Sequence, residues 1–204
     1  DISYNMGAEE VTAEEEIKTM QLYSHMDRVK NEVKAVEAAL GISTEQPLSY
    51  KAVLGFTCLN YTGVSGVDAS AKAMGLKSGS EGEGKTLLDI GCGLCGPARH
   101  LTANYNCTVV GVELQTELAE ASAWLSKRCG IDADRIKGVN ANAATDETLK
   151  TLQAASSSQY DAAYSLLTVL HFSREDRLKL WSNLSTLMKK VKHCNMHLFT
   201  LLLE

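Results

Sequence analysis

The chain has 204 residues, of which 45% are hydrophobic and 22% charged, with a net charge of -5, as is typical of one globular domain with a full core. No block of Lys and Arg stands out, which excludes the electrostatic footprint of a protein that binds nucleic acid or an anionic membrane. No apolar run is long enough to span a bilayer, and no basic segment followed by an apolar one begins the chain, so we expect a cytoplasmic protein.

An amphipathic helix is predicted for the N-terminal part of the chain. Asp1 rather than Met comes first, so we expect an N-terminus that has been cut, processed or incompletely recorded. A Thr-x-x-Glu capping box begins at Thr12, and apolar residues then recur every three or four positions, at Leu22, Met26, Val29, Val33, Val36 and Leu40. The helix should end at Gly41. Its stripe is too short to require a coiled coil, so we assign residues 1–80 to a helical lid and 81–204 to the main domain.

The region between this helix and the main domain is less regular. Leu48–Leu59 mixes apolar and small residues without a clear period, and no element is predicted there. Tyr61-Thr62-Gly63 leads into a short helix that ends near Leu76. The following stretch, Ser78–Lys85, is rich in Gly, Ser, Glu and Lys, which is typical of a surface connector.

The remaining sequence alternates short apolar runs with amphipathic segments. The apolar runs predict buried strands of a parallel sheet at Thr86–Ile90, Thr108–Val112, Arg135–Asn140 and Asp161–Leu167. The amphipathic segments predict crossover helices at Pro97–Tyr105, Glu117–Cys129, Glu147–Ala155 and Ser173–Lys190. Met196–Leu203 is a candidate fifth strand. This alternation predicts a doubly wound α/β fold.

A glycine-rich turn follows the first predicted strand. Gly91, Gly93 and Gly96 form Gly-x-Gly-x-x-Gly, and the second predicted strand ends at Glu113, about 20 residues further on. Glycines let the backbone approach a ligand closely, and an acid at this second strand end suits the hydroxyls of a ribose. The two features together predict a site for an adenosine-type ligand.

Asp89 selects among such ligands by its charge, because it lies two residues before Gly91. The pyrophosphate of NAD would bring two negative charges to this turn, and like charges about 4–6 Å apart cost several kcal/mol at an effective dielectric constant near 20. The sulfonium and ammonium groups of S-adenosylmethionine are cationic. Asp89 therefore favours S-adenosylmethionine and disfavours an NAD-linked oxidoreductase.

The cysteines are predicted to be reduced thiols, because they lack the density of a disulfide scaffold. The six are Cys58, Cys92, Cys95, Cys107, Cys129 and Cys194. Cys92-x-x-Cys95 is compatible with a redox or metal pair, but a structural zinc site needs four ligands and no second pair exists, so no metal is predicted. We favour Cys92 as a small residue of the turn and Cys95 as a space-filling one, although oxidation could still block the turn.

The glycine turn and its flanks resemble a known family. Residues Thr86–Leu101 closely resemble motif I of class I methyltransferases, and the form GCGLxGPARxL is similar to the branch that methylates small metabolites, including the sarcosine/dimethylglycine and phosphoethanolamine enzymes. The resemblance extends from Tyr61 to Lys190. It implies a Rossmann-like methyltransferase sheet with an N-terminal helical lid. Because Val191–Asn195 replaces the usual Pro-Gly-Gly turn and the last strands of a seven-stranded sheet are missing, we expect a truncated or divergent C-terminus.

The resemblance also implies roles in binding the cofactor. Glu113 would accept from the ribose hydroxyls, and Leu114 would pack on the adenine face. Where relatives usually have an acid after the third strand, this chain has Asn142 and Ala143, and the Asn142 oxygen can accept one hydrogen bond from adenine, although an ordinary loop Asn is an equal alternative. The other predicted cofactor-binding residues are Asp89, Gly91, Cys92, Gly93, Gly96 and Leu166.

Two side chains are candidates for the acceptor side of the site. His171 follows the fourth strand, whose carboxyl end faces the ligand in open α/β sheets, and it resembles the catalytic His of the Leu-His sequence in phosphoethanolamine-type enzymes. Tyr61 lies in the segment that comes close to the cofactor in the resembled families. The alternatives are a hydrogen-bonded structural His and a Tyr packed at a helix start.

These features predict S-adenosylmethionine-dependent methyl transfer to a small polar metabolite, at an N or O atom. The sulfonium is already activated, so the enzyme acts mainly by positioning the acceptor, and no metal is required. A cofactor-binding pseudoenzyme or binding module is the alternative, because Asn142 and the residues after Lys190 depart from the family pattern. We expect no nucleic-acid or membrane partner, and the sequence leaves the oligomeric state open.

Overall fold

The computed structural model describes residues 26–79, 83–156 and 159–189. The helices are α1 (Met26–Leu40), α2 (Tyr50–Thr57), α3 (Gly63–Ala73), α4 (Gly96–Tyr105), α5 (Thr116–Arg128), α6 (Asp146–Ala155) and α7 (Arg174–Leu187). The strands are β1 (Thr86–Ile90), β2 (Thr108–Glu113), β3 (Ile136–Asn140) and β4 (Ala162–Tyr164), and a 3-10 helix covers Val169–His171. The predicted capping box at Thr12, the candidate strand Met196–Leu203 and Cys194 lie outside the described residues.

The four strands form one parallel sheet in the order β3-β2-β1-β4. The chain moves outward from β1 to β2 and β3, and then crosses back so that β4 lies on the other side of β1. The winding direction therefore reverses between β1 and β4, and ligands of open α/β sheets bind outside the carboxyl ends of the strands at such a reversal. The predicted doubly wound α/β fold is confirmed.

Helices cover both faces of the sheet. Leu87 of β1 packs in the cluster that includes Ala71 of α3 and Leu101 of α4. Its neighbour Leu88 packs on the opposite face, in the cluster that includes Leu184 of α7. Because both faces of β1, β2 and β4 are buried, these strands are mostly apolar runs rather than alternating ones, whereas the edge strand β3 is partly exposed from Lys137 onward. Strand β1 has the predicted bounds, and β2 and β3 agree with the prediction within one residue at each end.

Strand β4 is shorter than predicted. It ends at Tyr164 instead of Leu167, because the Ser165 hydroxyl donates a hydrogen bond to the Ile90 carbonyl at 2.9 Å. Leu167 then adopts a positive φ of 64°, which no extended strand contains. The residues after Tyr164 therefore turn across the end of β1 instead of continuing the sheet.

Helices α1 and α2 form a third apolar cluster with α5. Val33 of α1 and Val53 of α2 pack in this cluster with Leu125 of α5. The predicted stripe of α1 is buried at Val33 but not at Leu40, which is 54% exposed, so the apolar face does not extend to the end of the helix. None of the described helices is both long and apolar enough to cross a membrane.

A polar cluster joins α3 to α4. The Asp68 carboxylate accepts a hydrogen bond from the Tyr105 hydroxyl at 2.9 Å and lies 2.7 Å from Nε2 of His100. Burial, with Asp68 adding to it, raises the pKa of Tyr105 to about 12. The Tyr105 hydroxyl therefore stays protonated near neutral pH and donates its hydrogen bond from α4 to α3.

We expect Tyr105→Phe to lower the free energy of unfolding by about 1 kcal/mol, the usual net contribution of one such hydrogen bond. Chemical denaturation measures the difference. Tyr61→Phe is the matched control, because Tyr61 is 82% exposed, and its stability should equal that of the wild type. Equal stability of Tyr105→Phe and the wild type would show that the bond to Asp68 contributes nothing.

Candidate active site

A cavity of about 430 Å³ lies at the reversal point between β1 and β4. Its walls are the glycine turn after β1, the end of β2, the segment after β4 and the segment after α2. This volume is typical of small-molecule sites. Eight of the residues predicted from the sequence line the cavity, namely Tyr61, Asp89, Gly91, Cys92, Gly93, Glu113, Leu166 and His171.

Four predicted residues do not line the cavity as the structure describes it. Gly96 is a packing position, because a Cβ there would lie 2.3 Å from the Thr57 carbonyl oxygen. Leu114 is exposed beside the cavity and Ala143 is buried in the core. The side-chain oxygen of Asn142 accepts a hydrogen bond from the Ala144 N–H at 2.9 Å. The roles of Leu114, Asn142 and Ala143 toward adenine stay predictions.

The glycine turn is fixed at both ends by backbone hydrogen bonds and close contacts. The N–H groups of Gly91 and Cys92 donate to the Val112 carbonyl at 2.8 and 3.0 Å. Gly91 has a φ of 74°, and a Cβ on it would lie 2.1 Å from Cγ2 of Thr168. The Thr168 hydroxyl also donates to the Gly91 carbonyl at 3.1 Å. Only glycine fits between β1 and Thr168 at this position.

Glu113 holds the second half of the turn. Its Oε2 accepts from the Gly93 N–H and its Oε1 from the Gln115 N–H, both at 2.9 Å. Burial raises the pKa of Glu113, and these backbone hydrogen bonds oppose the rise. Each carboxylate oxygen can accept a second hydrogen bond. Glu113 can therefore support the turn and still accept from a ligand in the cavity.

Asp89 is the more deeply buried of the two carboxyl groups at the cavity, with 2% of its surface exposed. Its Oδ2 accepts from the Tyr164 hydroxyl at 2.9 Å. Burial raises the pKa of Asp89 well above its usual value, with nearby Cys95 adding to the rise and Tyr164 opposing it. A cation in the cavity would reverse this shift, because it favours the ionised carboxylate.

The raised pKa of Asp89 gives a prediction about stability. A carboxyl group with a raised folded-state pKa stabilises the fold fully only below its unfolded pKa, and this contribution is lost as the pH rises through the folded pKa. We therefore expect Asp89→Asn to melt at a higher temperature than the wild type near neutral pH. The difference should shrink toward the unfolded pKa of an Asp, about 3.9. Thermal melts across this pH range measure it.

Asp134→Asn is the matched control for this prediction, because Asp134 is exposed on the surface. Its melting curves should follow those of the wild type. Part of the wild-type pH dependence should persist in Asp89→Asn, since Glu113 also has a raised pKa. If Asp89→Asn melts below the wild type at neutral pH, the ionised carboxylate stabilises the fold and the predicted sign is wrong.

The exposed part of the cavity lining consists of two leucines, a tyrosine and a histidine. Leu59, Tyr61, Leu170 and His171 form this outer part. Among the described residues, the His171 ring has no hydrogen-bond partner, and its role stays a prediction. No Lys or Arg lies in the described lining, so these walls offer no cation to an anionic ligand.

Several lining residues were not identified from the sequence. They are Thr57, Leu59, Asn60, Pro97, Gln115, Leu118, Leu167, Thr168 and Leu170. Thr57 is the last residue of α2, and Leu59 and Asn60 follow that helix. No element was predicted in this region. Leu167, Thr168 and Leu170 lie in the stretch expected to face the ligand, but no pattern marked them individually. The described residues contain no group of three or more His, Cys, Asp or Glu that could hold a metal ion.

The central part of the chain matches a known protein family. Residues 87–191, just over half of the chain, match the family model described as a methyltransferase domain. No curated protein sequence is significantly similar to the chain.

Several solved structures have a similar fold. One is phosphoethanolamine N-methyltransferase 2 from Haemonchus contortus, in complex with phosphomonomethylethanolamine and S-adenosylhomocysteine. It has 23% identity and a TM-score of 0.50, with 69% of this chain and 29% of that chain covered. A candidate sarcosine dimethylglycine methyltransferase from Galdieria sulphuraria has 18% identity and a TM-score of 0.48, with 61% and 42% covered.

A third neighbour is geranyl diphosphate C-methyltransferase from Streptomyces coelicolor, in complex with Mg²⁺, geranyl diphosphate and S-adenosylhomocysteine. It has 19% identity and a TM-score of 0.48, with 62% of this chain and 42% of that chain covered. The chain thus spans less than half the length of each of the three. At these identities the likeness concerns the fold alone.

Proposed function

This chain belongs to the methyltransferase-domain family, and on that premise we propose that it binds S-adenosylmethionine and transfers a methyl group to a small-molecule acceptor. One observation carries the proposal. Two buried carboxyl groups, Asp89 and Glu113, meet the glycine turn in one cavity at the reversal point of the sheet. When ionised, these two carboxylates make the site negative, which favours a cationic adenosine ligand over an anionic one.

The residues of the turn fit the parts of this cofactor. Glu113 would accept from the ribose hydroxyls with the lone pairs that Gly93 and Gln115 leave free. Asp89 would favour the cationic amino acid end, and the ligand in turn would restore the ionised state of this carboxyl group. For the adenine we retain Leu114, Asn142 and Ala143 as the proposed neighbours.

The cofactor supplies a methyl group that is already activated on a sulfonium. The protein must therefore bring the acceptor into line behind that methyl group and remove a proton from it. We propose His171 for the proton and Tyr61 for contact with the acceptor, because both line the outer cavity. Leu166 would pack against the bound cofactor.

We propose a small polar acceptor that reacts through an amine nitrogen or a hydroxyl oxygen. The described lining carries His171 but no Lys or Arg, so we expect a neutral or cationic acceptor in preference to a phosphorylated one. Imidazole can take the proton from an ammonium or hydroxyl group near neutral pH. No metal, nucleic acid or membrane is needed for this reaction.

The N-terminal segment 1–80 is proposed as the lid of this site. Its described part packs on α5 through α1 and α2, and the residues after α2, Leu59 to Tyr61, form one wall of the cavity. A lid that closes over the acceptor would exclude water from the reaction.

Calorimetric titration with S-adenosylmethionine, and with NAD as the control ligand, tests the proposed cofactor. We expect heat of binding for the first and none for the second. Labelled S-adenosylmethionine with a panel of small amines, amino acids and hydroxylated metabolites then tests transfer. Tight NAD binding without S-adenosylmethionine binding would contradict the proposal, whereas cofactor binding without transfer to any acceptor would favour the binding-module alternative, which the family match does not favour.

A further inference from the structure

Two thiols meet inside the cofactor turn. The Cys95 N–H donates to the Cys92 carbonyl at 2.8 Å, so the two cysteines are the ends of one tight turn, with their Cα atoms less than about 7 Å apart. A Cβ on Gly111 of β2 would lie 2.7 Å from the Cys92 sulfur and 3.4 Å from the Cys95 sulfur. Both sulfurs therefore occupy the space that the missing side chain of Gly111 leaves, at a separation that a disulfide can span.

A buried guanidinium lies beside this pair. Arg99 is fully buried, and it donates to the Leu94 carbonyl at 2.6 Å and to Ser126 Oγ at 3.3 Å. Its Nε has no hydrogen-bond partner in the described part of the chain. The ion pairs found among the described residues do not include Arg99. A buried cation without a carboxylate partner favours a nearby anion.

The sulfur of Cys95 is the nearby group that can carry this charge. A hydrogen bond from Cys92 and the charge of Arg99 lower the pKa of Cys95, although burial opposes this. Cys92 lines the cavity and Cys95 does not. The thiolate character therefore lies on Cys95, whereas the contact with the cavity lies on Cys92, whose own pKa is raised by its hydrogen bond to Cys95 and by burial. Thiolate character and access to solvent, the two properties that make cysteines sensitive to oxidation, thus meet in one turn.

We propose that Cys92 and Cys95 form a reversible disulfide with hydrogen peroxide, and that this bond prevents the turn from binding the cofactor. Cofactor exclusion rests on the proposed function, whereas disulfide formation does not. Cys92 belongs to the segment whose backbone N–H groups hold the turn to β2. Because Cys92 lines the cavity, a bond between its sulfur and that of Cys95 would change the wall against which the cofactor would lie.

The reaction consumes one peroxide molecule. A thiolate sulfur of the pair attacks one peroxide oxygen, the O–O bond breaks, and hydroxide leaves with a proton as water. The second sulfur then attacks the resulting sulfenic sulfur, the S–S bond forms as the S–O bond breaks, and a second water leaves with the second thiol proton. Both sulfurs are oxidised, and the peroxide is reduced to two waters. A dithiol reductant restores both thiols.

The test is peptide mass spectrometry of the full chain after peroxide treatment, together with S-adenosylmethionine titration. We expect the peptide that contains both cysteines to lose the mass of two hydrogen atoms and the affinity to fall by at least about tenfold. Dithiothreitol should reverse both changes. By linkage, saturating cofactor should lower the fraction of disulfide at equilibrium in a thiol–disulfide buffer.

Cys95→Gly removes one sulfur without straining the turn, because Cys95 has a φ of 55° that glycine adopts readily. This variant should bind the cofactor, should show no disulfide in this peptide, and should keep its affinity after peroxide treatment. Cys107→Ala is the matched control, since Cys107 is equally buried but is not part of the cavity lining. It should oxidise like the wild type.

Two results would overturn the inference: both thiols surviving peroxide in the folded protein, or a disulfide that joins Cys92 to another cysteine such as Cys58. A disulfide that forms without any change in affinity would refute the exclusion of the cofactor. If the reduced protein does not bind S-adenosylmethionine at all, the proposed function fails, and the peptide masses still decide whether the disulfide forms.

Discussion

Glu113→Ala is expected to weaken S-adenosylmethionine binding by about 10-fold to 150-fold, which corresponds to the 1.5–3 kcal/mol of a hydrogen bond to a charged group. The substitution removes the proposed acceptor of the ribose hydroxyls. It also removes the partner of the Gly93 and Gln115 N–H groups, so the second half of the turn loses its side-chain anchor to β2, while the Val112 carbonyl still holds the first half. Calorimetric titration of both proteins measures the ratio of dissociation constants.

Two further variants test whether the effect depends on the Glu113 carboxylate itself. Glu120→Ala removes an exposed carboxylate from the neighbouring helix α5, and its affinity should equal that of the wild type. Glu113→Gln keeps one side-chain oxygen, but its amide group must face either Gly93 or Gln115, both of which present N–H donors. We therefore expect its affinity to fall as well. Unchanged affinity in Glu113→Ala would refute the ribose assignment.

Most of the sheet could be predicted from the sequence because β1, β2 and β4 are buried on both faces. Leu87 and Leu88 of β1 face opposite layers, and both are fully buried, so the strand is a continuous apolar run with clear ends. The end of β4 could not be predicted. It depends on the Ser165 hydroxyl reaching the Ile90 carbonyl, 75 residues earlier in the chain, and no local pattern contains that contact.

The site was predictable where the backbone itself requires a residue type. Gly91 has a positive φ and a neighbour within 2.1 Å of any Cβ, so the requirement for glycine is visible in the sequence motif. Thr168 causes that requirement, yet it lies 77 residues away from Gly91 and has no motif of its own. Helix α2 has eight residues, which is too short for a helical period to be recognised.

His171→Ala is expected to lower turnover by roughly 10²-fold or more if proton removal limits the rate. His171 lies in the 3-10 helix after β4, at the wall of the cavity that the acceptor would share with the cofactor. An ammonium or hydroxyl group cannot attack the methyl carbon until it loses its proton, and imidazole is the side chain best suited to accept one near neutral pH. Single-turnover assays with labelled cofactor and an acceptor from the screen measure the change.

The cofactor affinity and the melting temperature of His171→Ala should remain those of the wild type, because the ring is exposed and has no hydrogen-bond partner among the described residues. His171→Gln restores side-chain bulk and hydrogen bonding but accepts no proton, so it should be as slow as His171→Ala. Added imidazole should partly rescue the Ala variant.

Early melting or lost cofactor affinity in His171→Ala would instead identify a structural histidine. Full activity of His171→Gln would identify an orienting residue rather than a base.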